Sequence, residues 1–244
     1  MSLGYVHTGS CVYLPGQRWA LRMIPCPDED GGYQNLLDHH HRRSGWIVYR
    51  PVCHTCQACR PIRVPVSTFK PSRSQRRTLR RNADVTLQVG PPEPTEEKRL
   101  LHNRYVSDRF GKADAGLPSL DAYAEVFGSS PVTTLEMTYR VGDRLVGVGI
   151  VDALPDVISS VYFFFDPDEG RRSLGTYSAL REIQYAEATG RGFVYFGYYI
   201  AACREMRYKA RFRPCELLGR DGVWRPFEPQ VDAQTEPRLL PRVG

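Results

Sequence analysis

The chain has 244 residues, 41% of them hydrophobic and 25% charged, which is enough for one large domain or two modest ones. The net charge of +6 and the pI near 9.0 favour an anionic partner, and the clustering of the basic residues indicates nucleic acid. No apolar run reaches membrane-spanning length and the first ten residues lack a signal-peptide pattern, which excludes membrane-spanning classes. We therefore expect a cytoplasmic protein with no membrane partner.

Residues 1–94 are predicted to form an N-terminal region that is rich in cysteine and basic residues. Residues 1–66 show little periodicity, so only short strands at Trp19–Ile24 and Trp46–Tyr49 are expected. A region so short of regular structure often needs a metal to hold it together. We place a core at residues 95–228 and a flexible, proline-rich tail at residues 229–244.

Three evenly spaced cysteines follow the second predicted strand, in the pattern Cys53-x2-Cys56-x2-Cys59. This spacing suits an iron–sulfur cluster, or zinc with one further ligand. The alternative is a set of reduced thiols packed in a small domain. The seven cysteines of the chain show no repeating framework, so thiols or metal ligands are expected rather than disulfides.

A basic segment comes directly after these thiols, with no acidic residue between Gln57 and Ala83. Its eight basic residues are Arg60, Arg63, Lys70, Arg73, Arg76, Arg77, Arg80 and Arg81. The pattern of Ser72–Asn82 predicts a helix with its last four arginines on one face. We expect this helix to contact phosphates, which supply affinity and salt dependence rather than sequence choice. The alternative is a solvated charged face.

The rest of the chain predicts an α+β core with a mainly antiparallel sheet and flanking helices. The predicted helices are Thr95–Phe110, Leu120–Phe127, Ser173–Thr189 and Cys203–Ala210. The predicted strands are Val132–Val141, Leu145–Leu154, Ile158–Phe165 and Phe193–Tyr198, followed by a hairpin within Leu217–Phe227. A meander, then a helix after a basic loop, then a strand is typical of an acetyltransferase-like (GNAT-like) core. Arg171, Arg172 and Gly175 would bind phosphate at the start of that helix.

Several longer motifs resemble the arginyl-tRNA–protein transferase family, and most closely its bacterial, leucine-transferring branch. The matching pieces are Tyr49-Arg50-Pro51-x-Cys53-x-x-Cys56-x-Ala58-Cys59, Phe69-x-Pro71-Ser72-x-Ser74-Gln75-Arg76-Arg77, Ser159-Ser160-Val161-Tyr162-Phe163-Phe164-x-Asp166-Pro167, Arg172-Ser173-Leu174-Gly175-Thr176, Gly197-Tyr198-Tyr199-Ile200 and Met206-x-Tyr208-Lys209-Ala210-Arg211-Phe212-x-Pro214. The resemblance implies a cysteine-bearing N-terminal region and an acetyltransferase-like core. It also implies transfer of an amino acid from aminoacyl-tRNA to the N-terminal amine of proteins that begin with Asp or Glu, which marks them for degradation.

The resemblance also implies site residues and a donor. Leucyl-tRNA is the expected donor, because the cysteines depart from the eukaryotic pattern of the arginine-transferring branch. The family's cysteine-bearing region makes Cys11 the expected fourth ligand beside Cys53, Cys56 and Cys59, although the transfer itself requires no cofactor. The two basic segments would then bind tRNA.

Aminolysis of an activated ester needs proton transfer and stabilisation of the carbonyl oxygen. Asp166, at a strand end, could hold the α-ammonium or accept its proton, or it could simply form a turn before Pro167. Tyr198 and Tyr199 could donate to the ester or to the leaving oxygen, and alternation places one of them in the core. Glu182 is expected on the surface.

An acidic acceptor requires a positive pocket, for which Lys209, Arg211 and Arg213 are the candidates. Three other functions stay open on sequence alone. They are arginyl transfer from arginyl-tRNA, a metal-bearing nucleic-acid-binding protein without enzymatic activity, and a small-molecule acetyltransferase that binds coenzyme A at Arg172–Thr176.

Overall fold

A computed structural model describes residues 4–111 and 117–232. The N-terminal part forms a four-stranded antiparallel sheet in the order β1-β2-β4-β3, with helix α1 between β2 and β3. These elements are β1 (Tyr5–Ser10), β2 (Arg18–Pro25), α1 (Asp30–Asp38), β3 (Arg42–Ser44) and β4 (Ile47–Pro51). The expected strands at β2 and β4 are confirmed, but the expectation of little regular structure is wrong. Gly31 and Gly32 conceal α1 in the sequence, and its helical face is fixed by Tyr33 and Leu37, both fully buried.

A second sheet has eight strands in the order β12-β11-β5-β10-β9-β8-β7-β6. Its strands are β5 (Arg60–Pro65), β6 (Val85–Gly90), β7 (Thr134–Val141), β8 (Arg144–Ala153), β9 (Val157–Phe165), β10 (Phe193–Tyr199), β11 (Glu216–Leu218) and β12 (Trp224–Pro226). Within the described residues, β9 and β10 are the one parallel pair of this sheet. The predicted α+β class with a mainly antiparallel sheet is confirmed, as are the meander β7–β9 and the final hairpin.

The eight-stranded sheet does not follow the predicted division at residue 94. Strand β5 lies between β10 and β11, and β6 forms the edge beside β7, although both come before residue 94. Neither strand is predicted from the sequence. For β5 the reason is that Pro61 and Pro65 flank its short apolar alternation. Ile62 and Val64 of β5 are nonetheless fully buried.

Helices α2 to α6 lie where the sequence predicts helices. The remaining helices are α2 (Arg73–Arg81), α3 (Glu96–Phe110), α4 (Leu120–Phe127), α5 (Leu174–Ala188), α6 (Arg204–Arg207) and α7 (Pro229–Asp232). Ser72 and Gln75 form a capping box at the start of α2, in which the Ser72 Oγ accepts from the Gln75 N–H at 3.3 Å. The first residues of the predicted flexible tail form α7, and residues 233–244 lie outside the described residues. No described helix combines the length and apolar character needed to cross a bilayer.

A buried ion pair joins the two sheets. Arg43 on β3 donates to Asp152 on β8 through Nε at 2.9 Å and Nη2 at 2.5 Å, and both side chains are at most 2% exposed. The Thr134 hydroxyl donates to the same carboxylate at 2.7 Å. Tyr33, Leu37 and Val48 of the N-terminal part pack beside this pair against the large sheet.

Replacing Asp152 by Ala would leave the Arg43 charge buried without a partner. We expect a loss of about 3–5 kcal/mol in the free energy of unfolding, measured by urea denaturation. Asp221→Ala is the matched control, because it breaks the exposed Asp221–Arg225 pair and should cost no more than about 1 kcal/mol. Equal losses in the two variants would contradict the importance of the buried pair.

Candidate active site

The large sheet opens at its parallel pair of strands. β9 and β10 share ladder pairs only at Phe193–Val157, Val194–Ile158 and Tyr195–Ser159. Beyond these pairs, β9 bulges at Val161 and β10 shifts its register against β5. Gly197 supports the shift with a φ of +80°, a conformation that other residues rarely adopt. The carboxyl ends of the two strands therefore border a gap in the sheet, which we call the strand gap.

Glu182 of α5 is buried beside this gap, contrary to the expectation of a surface position. The residue is only 2% exposed, and its Oε1 accepts a hydrogen bond from the Ser178 hydroxyl at 3.1 Å. The second oxygen, Oε2, is buried and accepts no hydrogen bond, although Ser160 on the unpaired part of β9 lies close enough to lower the carboxyl pKa somewhat. Burial dominates and raises the pKa of Glu182 to about 7.

The burial of Glu182 follows from how α5 packs. The helix buries an apolar face that includes Leu180 and Ile183, and also a second stripe formed by Ser178, Glu182 and Ala186 at a spacing of four. The sequence signal for the burial of Glu182 is this second stripe. Tyr208 adds a hydroxyl to the same region: the residue is 38% exposed, but desolvation of its hydroxyl and then the Glu182 charge raise the pKa of Tyr208 to about 12.

Asp166 has a different environment from the one that catalysis would require. Its carboxylate lies 3.2 Å from Arg104 and 3.0 Å from Arg144, and it accepts the Asp168 N–H at 3.1 Å. These contacts cap the turn after β9 and occupy both carboxylate oxygens. The geometry thus favours the turn-forming interpretation of Asp166.

The two adjacent tyrosines separate as strand alternation predicts. Tyr199 is 1% exposed and packs on Phe227 in the core, with its hydroxyl 3.5 Å from the Asp232 carbonyl. Tyr198 faces the other side and donates its hydroxyl to the His40 carbonyl at 2.7 Å. Of the two, only Tyr198 lines a cavity, which lies between the small sheet and the end of β10.

The three predicted acceptor-binding residues do not converge. Lys209 donates to the Tyr198 carbonyl at 2.8 Å and to the Met206 sulfur at 3.2 Å. Burial and then the nearby Arg42 charge lower the pKa of Lys209 to about 7. Arg211 and Arg213 are exposed elsewhere. The Arg211 backbone carbonyl accepts from Gln75 of α2 at 3.2 Å, so Arg211 lies beside the basic helix instead.

The predicted tRNA-binding residues do come together on one surface. Helix α2 turns Gln75, Thr78 and Asn82 inward and exposes five arginines. They are Arg73, Arg76, Arg77, Arg80 and Arg81. None of these five forms an ion pair with a carboxylate of the described residues. We call this set the α2 basic surface.

The α2 basic surface adjoins the start of α5. Arg81 donates to the Arg171 carbonyl at 2.6 Å, and Asn82 donates to the Arg172 carbonyl at 2.9 Å. A Cβ added to Gly175 would meet no atom within 4 Å, so the first turn of α5 is open to a ligand. Arg172 itself is held by Asp84 and Glu169, at 2.8 Å and 2.6 Å, and is less available to a phosphate than the α2 arginines.

Known proteins match both halves of this arrangement. The family model described as Arginine-tRNA-protein transferase, N terminus, matches residues 9–77, and the model described as Arginine-tRNA-protein transferase, C terminus, matches residues 97–219. The chain belongs to the arginine-tRNA-protein transferase family. It is therefore a transferase, and the resemblance read from its motifs is confirmed.

Curated relatives of this family member carry the name aspartate/glutamate leucyltransferase. The relative from Saccharophagus degradans is 42% identical over 187 residues, covering 76% of this chain and 79% of the relative. The relative from Gluconacetobacter diazotrophicus is 39% identical over 221 residues, covering 89% and 85%. Among solved structures, FemX is a distant match, with a TM-score of 0.43, 7% identity and coverage of 80% and 79%.

The four cysteines predicted to bind a metal lie close together. Cys11, Cys53, Cys56 and Cys59 gather around Leu14 and Ile200. Burial and then the neighbouring thiols raise the pKa of Cys59 to about 12. Within residues 4–111 and 117–232, no three His, Cys, Asp or Glu side chains are arranged to hold a metal ion. Iron or zinc at these cysteines stays a prediction that elemental analysis can check.

Proposed function

We propose that this transferase moves leucine from leucyl-tRNA to the N-terminal amine of proteins that begin with Asp or Glu. The observation that carries the proposal is the position of the α2 basic surface, which adjoins the start of α5, while the same helix α5 brings the buried Glu182 to the strand gap. The names of the relatives support leucine as the donated group and Asp or Glu as the acceptor. Aminoacyl-tRNA is a cytoplasmic substrate, so a cytoplasmic location belongs to the proposal.

The donor binds first through its phosphates. Arginines bind phosphate oxygens with paired N–H groups, and the α2 basic surface offers five without a competing carboxylate among the described residues. The esterified end of the tRNA then lies at the gap between β9 and β10. Phe163, on the unpaired part of β9, is half-buried on the side of the sheet that packs against α5, and we assign it to an apolar slot for the leucyl side chain.

The reaction exchanges an ester bond for an amide bond. The acceptor amine attacks the leucyl carbonyl carbon, the bond to the ribose oxygen breaks, and the tRNA leaves with a free hydroxyl group. The attacking nitrogen must lose a proton, and the departing oxygen must gain one. We assign the first role to Oε2 of Glu182, which is buried without a hydrogen bond and belongs to a carboxyl group whose pKa is near neutrality. Positioning of the two substrates supplies the rest.

Arginyl transfer is the second candidate, favoured by the description of the two family models. A transfer assay distinguishes the donors. The purified chain is given leucyl-tRNA or arginyl-tRNA with peptides that begin with Asp, Glu, Lys or Ala. We expect leucine to appear on the Asp and Glu peptides only. Transfer of arginine alone would refute the leucine assignment, and no transfer from either tRNA would refute the proposed function.

Glu182→Gln keeps the shape of the side chain and removes its basicity. We expect kcat to fall by about 10²–10⁴, the usual contribution of a general base. In the unmodified enzyme, kcat should rise with pH up to about 7 as Glu182 loses its proton, and the variant should lose this rise. Glu187→Gln, an exposed position on the same helix, is the control. A variant that retains both the rate and the pH profile would exclude Glu182 as the base.

The phosphate contacts are tested by salt dependence. Changing Arg76, Arg77, Arg80 and Arg81 to Gln should weaken tRNA binding and reduce the slope of log Kd against log salt by about one for each arginine that binds a phosphate. The four residues are exposed, so stability should change little. Arg225→Gln, at an exposed arginine paired with Asp221, should leave the slope unchanged. An unaltered slope in the quadruple variant would place the tRNA elsewhere.

A further inference from the structure

A cavity of about 630 Å³ lies where the small sheet meets the end of β10. Its wall is formed by residues 11–21 of the loop and strand β2, by the thiol segment after β4, and by Tyr198 and Ile200. It does not coincide with the strand gap, but the two share the end of β10.

The charge of this cavity is entirely of one sign. Its charged lining residues are Arg18, Arg50, Arg60 and Arg220, and burial lowers the pKa of His40, which is neutral there. No Asp or Glu occurs among the described residues that line it. Arg60 is neutralised from outside by Asp232, whereas no described carboxylate forms an ion pair with Arg18, Arg50 or Arg220. The cavity therefore favours an anionic ligand, because no described carboxylate of the chain neutralises these three arginines.

Arg50 is the best-placed group to bind that anion. It is half-buried on β4, and its Nε is buried without a hydrogen-bond partner. A buried guanidinium N–H without an acceptor is costly, and a carboxylate is the ligand that matches its paired geometry. The neighbouring Arg60 lacks this feature because its guanidinium group already contacts Asp232 and the Leu218 carbonyl.

Arg42 is a second arginine near the cavity that has no carboxylate partner among the described residues. Arg42 is 4% exposed and donates Nη2 to the Gly197 carbonyl at 3.0 Å, but its Nε and Nη1 are buried without partners. It lies opposite Tyr49 across β3 and β4, and the Tyr49 and Tyr198 rings are 6.4 Å apart at the cavity wall. Lys209 donates to the Tyr198 carbonyl, next to the Gly197 carbonyl that Arg42 contacts, and the Arg42 charge helps to lower the pKa of Lys209 to about 7.

We propose that this cavity binds the acidic side chain of the acceptor's first residue, with Arg50 contacting the carboxylate and Arg42 strengthening the positive potential. The inference rests on the proposed function for the identity of the ligand. In this proposal Arg50 and Arg42, rather than Arg211 and Arg213, recognise the acidic side chain of the acceptor. The α-amine would then extend past Tyr198 to the gap and to Glu182, which explains how one small opening selects an acidic residue and presents its amine.

Binding of short peptides without tRNA tests this directly. Isothermal titration of the full chain would compare a peptide that begins with Asp with one that begins with Asn, which has the same shape without the charge. We expect the Asp peptide to bind at least tenfold more tightly, and Arg50→Gln to abolish that difference. Arg140→Gln, at an arginine of β7 that pairs with Glu97 and does not line the cavity, should preserve it.

Further variants separate the possible failures. Arg50→Lys keeps the charge but not the fork, so it should retain part of the preference, and its thermal unfolding midpoint shows whether the site tolerates substitution. Equal binding of the Asp and Asn peptides, or loss of the preference in Arg213→Gln rather than in Arg50→Gln, would overturn the proposal. Peptide selectivity without leucine transfer would refute the proposed function but not the assignment of this pocket. Leucine transfer with an unaltered Asp preference in Arg50→Gln would refute the assignment of the pocket but not the proposed function.

Discussion

The parting of β9 and β10 after three ladder pairs is the constraint on which the rest of the structure depends. Parallel strands joined by a helix normally stay paired along their length, and a polar group on that helix would then face a closed sheet. Here β10 turns away toward β5, with Gly197 in a left-handed conformation at the point of departure. The unpaired ends lie beside α5, and the Glu182 carboxyl group is buried next to them.

Two adjacent arginines on β3 show how the small sheet serves both stability and binding. Arg43 points toward the large sheet, where Asp152 and Thr134 satisfy it, and the pair fixes how the sheets meet. Arg42, on the opposite face, has two nitrogens without a partner and lies near the cavity wall. Alternation along one short strand thus separates a cation that the fold neutralises from one that it leaves uncompensated. Arg42 donates to the Gly197 carbonyl and lies 5.4 Å from the centre of the Tyr195 ring, so its charge is only partly compensated.

The sequence predicted the elements whose local signals agree with their final environment. Helix α2 has a capping box and a uniform charged face, and the meander has clear alternation and turn residues, so both were located closely. Strand β5 was missed because its prolines argue against a central strand, and only its neighbours β10 and β11 make the pairing favourable. The burial of Glu182 could not be read from α5 alone, since it depends on a second covered side of the helix. The charge pattern located the α2 basic surface, but the unpaired state of Arg42 and Arg50 is a property of the fold.

The position of β5 also has a consequence for how the molecule is made. Val64 pairs with Val194, and Ile62 pairs with Leu217, so the centre of the large sheet joins early and late parts of the chain. On a ribosome, the early segment emerges long before the strands that flank it, and it cannot fold ahead of them as an N-terminal domain commonly does. Folding must wait for nearly complete synthesis, and it then proceeds through contacts of high sequence separation, which are slow to form. The nascent chain consequently has neither the strand gap nor the cavity, and the two form together.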